Sequence, residues 1–228
     1  MPKSALIYAW SIVALGCAGA ATSVMLWQTS NATAFWTCLA LAALASTFKI
    51  KLPGFDSCIS PSFVFVLVAA AQFNGPETVV LAMASGLVQS LWKRSGKFSF
   101  VQVAFNVSAL AISSGLAFGM AHSKQSSGMG NTLLLGVAGV VLLVVNTLIV
   151  SVVLCLVQAA PIRAVWNSVQ FWAFPYYLAG GVLASVWVHS LQRPGAMLAV
   201  LAAVSVYVLS VCYRQAMERW NGVNAVSC

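Results

Sequence analysis

The sequence predicts an all-α integral membrane protein in which apolar helices form a bundle. Two observations lead to this fold class. Of the 228 residues, 61% are hydrophobic and only 6% are charged, whereas about 25% of the residues of a soluble domain are charged. The hydrophobic residues also occur in long runs, and about 20 consecutive apolar residues are enough to cross a bilayer as a helix.

Eight apolar segments can be marked along the chain, and together they form one membrane domain over residues 1–213. A short tail follows over residues 214–228, for which we expect a cytoplasmic position. The third and fourth segments are short, at about 22 and 24 Å for a rise of 1.5 Å per residue. The segments cover residues 5–27, 33–48, 59–73, 77–92, 98–121, 132–158, 169–191 and 195–213.

The first segment resembles a signal peptide, because Lys3 precedes an apolar stretch that reaches Cys17. The apolar run continues to Trp27, which makes it long enough to span a bilayer. We therefore expect an uncleaved first helix.

The third and fourth segments form a pair, and proline and glycine residues break the apolar pattern at two places, before the pair and between its members. Pro53 and Gly54 precede the pair, and Gly75 and Pro76 separate its two members. Either all eight segments cross the membrane, or this pair forms a re-entrant hairpin beside six spans. Paired segments interrupted by Gly or Pro point to the binding site of transporters, so by this analogy a pocket, if the protein has one, is expected near this hairpin.

The seventh segment contains Pro175 and the dipeptide Gly180-Gly181. Proline removes a helical hydrogen bond, so Pro175 predicts a kink. Two adjacent glycines allow a neighbouring helix to approach closely. We interpret this segment as a packing element first and as a hinge second.

The basic residues are distributed unequally between the two sides of the membrane. With eight crossings, only Lys124 and Arg193 lie on one side and the other nine basic residues lie on the opposite side. The positive-inside rule then predicts that both termini are cytoplasmic. The basic residues are scattered between apolar runs, and this pattern lacks the basic stripe that nucleic-acid binding requires.

The acidic residues and histidines give no pattern typical of an enzyme or a metal site. Asp56, Glu77 and Glu218 lie at segment edges or in the tail, on different loops, so paired-carboxylate chemistry is disfavoured. His122 and His189 should both lie near the outer surface, without a third ligand of suitable spacing. We expect no catalytic residue, no cofactor and no metal.

Amide side chains inside the apolar segments are the best candidates for ligand binding. Gln102 and Asn106 are four residues apart and share a helix face. Gln89 ends the fourth segment, and Asn146 lies within the sixth. An amide in hydrocarbon needs a partner, so we expect these side chains to face the bundle interior. They either bond between helices or line a small cavity.

Several stretches resemble, in the same order, the N-terminal membrane regions of bacterial signalling proteins. These regions are MASE-like sensor modules, known best from Acidobacteria, that precede HD-type phosphohydrolase or diguanylate-cyclase domains. The resemblance covers residues 49–219. It is carried by "LPGFDSCISPSFVFVLVA", "LVQSLWKR", "VQVAFNVSALAIS" and "FWAFPYYLAGGVLAS", and by the exit stretch "VYVLSVCYRQAMERW".

The resemblance implies a membrane sensor or anchor in the bacterial cytoplasmic membrane, here without its output domain, since the sequence stops at Cys228. The resemblance assigns a catalytic role to none of the matching positions. The positions that match the motifs are Pro53, Gly54, Phe63, Gln89, Gln102, Phe105, Asn106, Pro175 and Tyr176.

Two functions compete on these observations. The leading one is a non-enzymatic sensor or anchor that binds a small or lipid-like ligand, or the helices of a partner. The alternative is the substrate-binding subunit of a vitamin-type transporter. The bilayer is the common partner, and a separate cytoplasmic protein would act as signalling output in the first case and as energy source in the second.

The topology can be tested with reporter fusions. Alkaline phosphatase is active only outside the cytoplasm and a fluorescent protein only inside it, so fusions after Lys124 and after Cys228 should give opposite results with both reporters. Equal results at the two sites would overturn an even number of crossings.

Overall fold

The computed structural model of the chain describes residues 2–29, 31–48, 50–51, 58–92, 99–123, 131–159 and 161–191. Within these ranges the chain is almost entirely helical, which confirms the predicted all-α class. The helices are α1 (Lys3–Met25), α2 (Ala32–Ser46), α3 (Ser62–Gln72), α4 (Gly75–Leu91), α5 (Phe100–Ala121), α6 (Asn131–Gln158) and α7 (Ile162–Leu191).

Three of the described helices are long and apolar enough to cross a membrane. They span Lys3–Met25, Phe100–Ala121 and Leu134–Gln158. Two further apolar helices, α2 and α3, are shorter than a membrane span. The chain is therefore a membrane protein. The predicted eighth segment, 195–213, lies outside the described residues.

The third apolar segment forms a shorter helix than its hydropathy predicts. Two-residue strands β1 (Ile50–Lys51) and β2 (Cys58–Ile59) pair antiparallel, so Ile59, the first residue of the predicted segment, belongs to a strand. Pro61 then precedes the first helical turn, and Phe73 ends the helix in an extended conformation. The resulting 11 residues of α3 span only about 16 Å. Hydropathy alone does not distinguish apolar strand residues from helical ones.

A capping box connects α3 to α4. The Asn74 Oδ1 atom accepts a hydrogen bond from the Glu77 N–H at 2.9 Å, and the Glu77 carboxylate accepts one from the Asn74 N–H at 3.2 Å. Pro76 lies in the first turn of α4, where proline is tolerated because the N–H of that position needs no helical partner. The predicted break at Gly75 and Pro76 is thus the start of a helix.

The tip of this hairpin is attached to the end of α1. The Asn74 side-chain amide donates a hydrogen bond to the Gln28 carbonyl. Glu77 lies at a segment edge as predicted, but its side chain is fully buried. One carboxylate oxygen, Oε1, has no hydrogen-bond partner within the described part of the chain. Sequence position did not reveal this burial, since it depends on the helices packed around the tip.

The shortest helix, α3, is the centre of the bundle. All of its side chains from Ser62 to Ala70 are buried. The helices α2, α4, α5, α6 and α7 contact it from different directions. A helix that is apolar around its whole circumference is buried either in protein or in lipid, and α3 is buried in protein.

The contact between α3 and α7 is aromatic and very close. The Phe63 ring stacks on Tyr177, with ring centroids 4.1 Å apart and planes at 26°. The Phe65 ring meets Trp187 edge to face, with centroids 5.1 Å apart. At Gly180 an added Cβ would overlap the Phe63 ring. The backbone of α7 therefore lies directly against α3.

A second core joins α1, α5 and α6. The Tyr8 hydroxyl donates to the Ile149 carbonyl at 3.2 Å, and the Tyr8 ring lies 6.2 Å from that of Phe105. Gly16 permits close packing of α1 on α5, because a Cβ there would overlap Ser108. Small residues at such crossings are typical of helix packing in membranes.

The seventh helix begins earlier than its apolar segment. It starts at Ile162, directly after Pro161, and includes the exposed Arg163 in its first turn. The predicted start at residue 169 was based on hydropathy. Hydropathy does not detect the first residues of this helix, because several of them are polar. The helix continues through Pro175.

The two adjacent glycines of α7 allow a matched test of the α3–α7 contact. Gly180→Ala should lower the free energy of unfolding by about 1–3 kcal/mol, because its methyl group would overpack against Phe63. Gly181→Ala should be close to neutral, since a Cβ there meets nothing within 4 Å. Thermal unfolding in nanodiscs measures both. Equal effects of the two variants would contradict this packing.

Candidate functional site

The structure brings three of the predicted amides to the same end of the α4–α5 pair. The Asn106 Nδ2 atom donates to the Ser90 hydroxyl at 3.3 Å, which bonds α5 to the last turn of α4. Gln89 is half-buried beside Ser90, and Gln102 lies one turn before Asn106 on α5. These residues lie at the ends where α4 finishes and α5 begins.

The two amides of α5 differ in burial. Asn106 is half-buried, whereas Gln102 is exposed. Four residues make about 1.1 turns of a helix, so their side chains are offset by about 40° around it. That offset is enough to place Gln102 at the margin of the α4–α5 contact, whereas the sequence predicted that both would face the interior.

The fourth predicted amide, Asn146, belongs to a different contact. Its side chain hydrogen-bonds with the Tyr177 hydroxyl, which joins α6 to α7. The Tyr177 ring is the one that stacks on Phe63 of α3. Asn106 therefore bonds α5 to α4, and Asn146 takes part in a contact that links α6, α7 and the central helix.

A groove lies between α6 and α7 beside this contact. It encloses a volume of about 210 Å³. Among the described residues that line it, only Tyr177 and Ser185 have polar side chains. The lining residues are Gly136, Gly139, Val140, Leu143, Phe174, Tyr177, Leu178, Gly181, Val182 and Ser185.

Glycines form the floor of the groove. An added Cβ at Gly136 or at Gly181 would meet no atom of the described residues within 4 Å. At Gly139 a Cβ would come within 3.3 Å of Leu67 of α3, which places the central helix directly behind the floor. The groove exists because these positions carry no side chain.

The rim of the groove is exposed on the outside of the bundle. Leu178 and Val182 are 56% and 61% exposed, and Val140 and Phe174 are exposed on the same side. The groove therefore opens on the outside of the described helices.

The size of the groove limits what it can hold. A buried cavity of about 150 Å³ accepts benzene, and pockets for drug-sized ligands measure about 300–1,000 Å³. A volume of about 210 Å³ lies between these values. The groove therefore fits a single ring or a short length of hydrocarbon chain.

The remaining candidate residues either lie within helices and ring contacts or fall outside the described residues. Gly75 and Pro76 form the first turn of α4, and the backbone of Pro175 lies within α7. The His122 ring stacks on Phe118 with centroids 4.2 Å apart. Pro53, Gly54, Asp56 and Glu218 lie outside the described residues, as does the His189 side chain. No group of three His, Cys, Asp or Glu side chains in the described part could hold a metal ion.

Sequence reasoning did not single out the groove. It identified Asn146 and the Gly180-Gly181 pair, but not Tyr177, Gly136 or Gly139. The spacing of Gly136 and Gly139, on neighbouring turns of one helix, was a detectable sign of a small-residue face. Whether such a face is filled by another helix or stays open depends on the tertiary structure.

Comparison with known proteins gives no match for this chain: no family model, no curated protein and no solved structure is similar to it. The likeness to membrane sensor regions thus stays a hypothesis based on the sequence motifs.

A double-mutant cycle can test the bond between Asn106 and Ser90. Interhelical hydrogen bonds in membranes contribute about 0.6 kcal/mol on average, so Asn106→Ala and Ser90→Ala should couple by about that amount. Thr37, exposed on α2, is the matched control and should show no coupling with Asn106. The free energy of unfolding of each variant measures the coupling, and zero coupling for Asn106 and Ser90 would exclude the bond.

Proposed function

We propose that the protein is a non-enzymatic membrane module of the sensor or anchor type that binds a lipid-like ligand between α6 and α7. The observation that carries this proposal is the groove, which is apolar, open on one side and floored by glycine. A ligand dissolved in the bilayer can enter it without leaving the hydrocarbon.

The chemistry of the groove supports a binding role. Acid–base or nucleophilic catalysis requires positioned titratable groups. Of the described lining residues, Tyr177 and Ser185 have polar side chains, and the others are hydrocarbon side chains or glycine. Such a surface can hold and orient an apolar molecule, and it offers little for bond breaking.

The position of Tyr177 supports a sensor role. Its side chain lines the groove, bonds to Asn146 of α6 and stacks on Phe63 of α3. A ligand in the groove thus contacts a residue that reaches the centre of the bundle. Any shift of Tyr177 changes the packing of α3, whose first turn follows the strand pair β1–β2.

We also propose a multi-pass arrangement in the bacterial cytoplasmic membrane, with eight crossings and both termini in the cytoplasm. The asymmetry of the basic residues supports this orientation. The bond from Asn74 to Gln28 supports a full crossing of the α3–α4 pair, because the tip of the hairpin reaches the far end of α1. A sensor of this kind would act through a separate cytoplasmic signalling protein.

Filling the groove tests the proposal. Gly181→Leu should reduce the amount of co-purified lipid at this site at least tenfold, because the new side chain occupies open space. Gly19→Leu, on the exposed face of α1, is the control and should retain the lipid. Mass spectrometry of protein extracted in nanodiscs measures the lipid, and thermal unfolding checks that both variants fold. The same lipid profile from both variants would refute the groove as the site.

A further inference from the structure

Tyr177 and Asn146 form a polar pair beside a groove in which, among the described lining residues, only Ser185 has another polar side chain. Tyr177 lines the groove and is almost fully buried, and its hydroxyl bonds with the half-buried Asn146 side chain. An asparagine amide has two N–H donors and an oxygen with two lone pairs. One bond to a hydroxyl uses only part of this capacity.

This pair lies far from both ends of α6. Asn146 is 15 residues from the first residue of the helix and 12 from the last. At 1.5 Å per residue these separations are about 22 and 18 Å. Since the hydrocarbon core is about 30 Å thick, the Asn146–Tyr177 pair lies deep in the apolar layer.

The depth of the pair selects between two kinds of lipid. The head group of a phospholipid stays at the interface, so its polar atoms cannot reach a pair at this depth. A neutral lipid that dissolves within the hydrocarbon can bring a polar atom there. A carbonyl oxygen is the simplest such group, because it accepts a hydrogen bond and has no proton of its own to satisfy.

We propose that the groove binds a neutral lipid whose ring or chain carries a carbonyl, with that oxygen accepting a hydrogen bond at the Tyr177–Asn146 pair. The groove volume of about 210 Å³ holds one ring or a short length of chain beside the carbonyl. The remainder of the lipid lies along Phe174, Leu178 and Val182, on the exposed rim. This proposal rests on the proposed function, because it names the ligand class for the same groove.

The two polar side chains have separate roles in this binding. Loss of the Tyr177 hydroxyl removes one hydrogen-bonding group and keeps the aromatic ring that stacks on Phe63. Loss of the Asn146 amide removes the other group. Because Tyr177 and Asn146 bond to each other in the structure, the carbonyl either shares this pair or displaces one member of it.

Photoreactive probes of equal chain length can test the proposal. One probe carries a ketone at the centre of its chain, one is the corresponding alkane, and one is a phosphatidylcholine, each with a diazirine. Nanodiscs that contain the protein are irradiated with each probe, and mass spectrometry measures labelling of α6 and α7 peptides. The ketone should label these peptides at least tenfold more than the alkane or the phosphatidylcholine.

Variants distinguish the contribution of the polar pair from that of the groove itself. The double variant Tyr177→Phe with Asn146→Leu should reduce ketone labelling to the level of the alkane, and Gly181→Leu should remove labelling by all three probes. The single variant Tyr177→Phe keeps the ring stack, so it stays informative if the double variant does not fold. With it, ketone labelling should fall at least threefold while alkane labelling stays unchanged.

The experiment distinguishes a failure of the carbonyl proposal from a failure of the lipid-binding function. If all three probes label the groove equally and Gly181→Leu removes the label, the groove binds lipid but the carbonyl proposal is wrong. If no probe labels the wild type above the Gly181→Leu background, the lipid-binding function itself is wrong. Ketone labelling that is unaffected by Tyr177→Phe and by Asn146→Leu would also overturn the role of the polar pair.

Discussion

The contact of Phe63 with Gly180 is the constraint on which the rest of the described bundle depends. The central helix α3 is only 11 residues long and is buried on every side, so each neighbour has to come close to it. On the α7 side this approach is possible only because Gly180 has no side chain to meet the Phe63 ring. The dense packing of protein interiors leaves no room for a compensating gap.

The same contact fixes the position of Tyr177. Because Tyr177 lies three residues before Gly180 and its ring stacks on Phe63, its hydroxyl is held at the α6 side, where Asn146 bonds to it. One aromatic side chain thus connects three helices and forms part of the groove wall. Because Tyr177 is buried, this hydrogen bond has little competition from water, so the pair orients the ring as well as stabilising it.

Hydropathy predicted most of the helices because it reports which residues avoid water. It placed the segments that became α1, α2, α4, α5 and α6 within a few residues of their observed bounds. Its largest error is the start of α7, which begins at Ile162, seven residues before the predicted position, because hydropathy does not detect polar residues in a helix. The helix α3 is also shorter than its segment, since Ile59 belongs to a strand and Phe73 ends the helix. Asn106 and Asn146 could be predicted as amides needing partners, but the identity of Ser90 and Tyr177 as those partners depends on which helices are neighbours. The burial of Glu77 was unpredictable for the same reason.

The dipeptide Gly180-Gly181 shows how one local feature produces both a packing contact and an open site. Consecutive residues of an α-helix point about 100° apart. Gly180 therefore faces α3, where the Phe63 ring fills the space beside it, and Gly181 faces the groove, where nothing lies within 4 Å of an added Cβ. The first glycine lets α7 approach the core, and the second leaves a hollow next to that approach. Close packing of α7 on α3 and an open groove beside α6 are for this reason parts of the same arrangement.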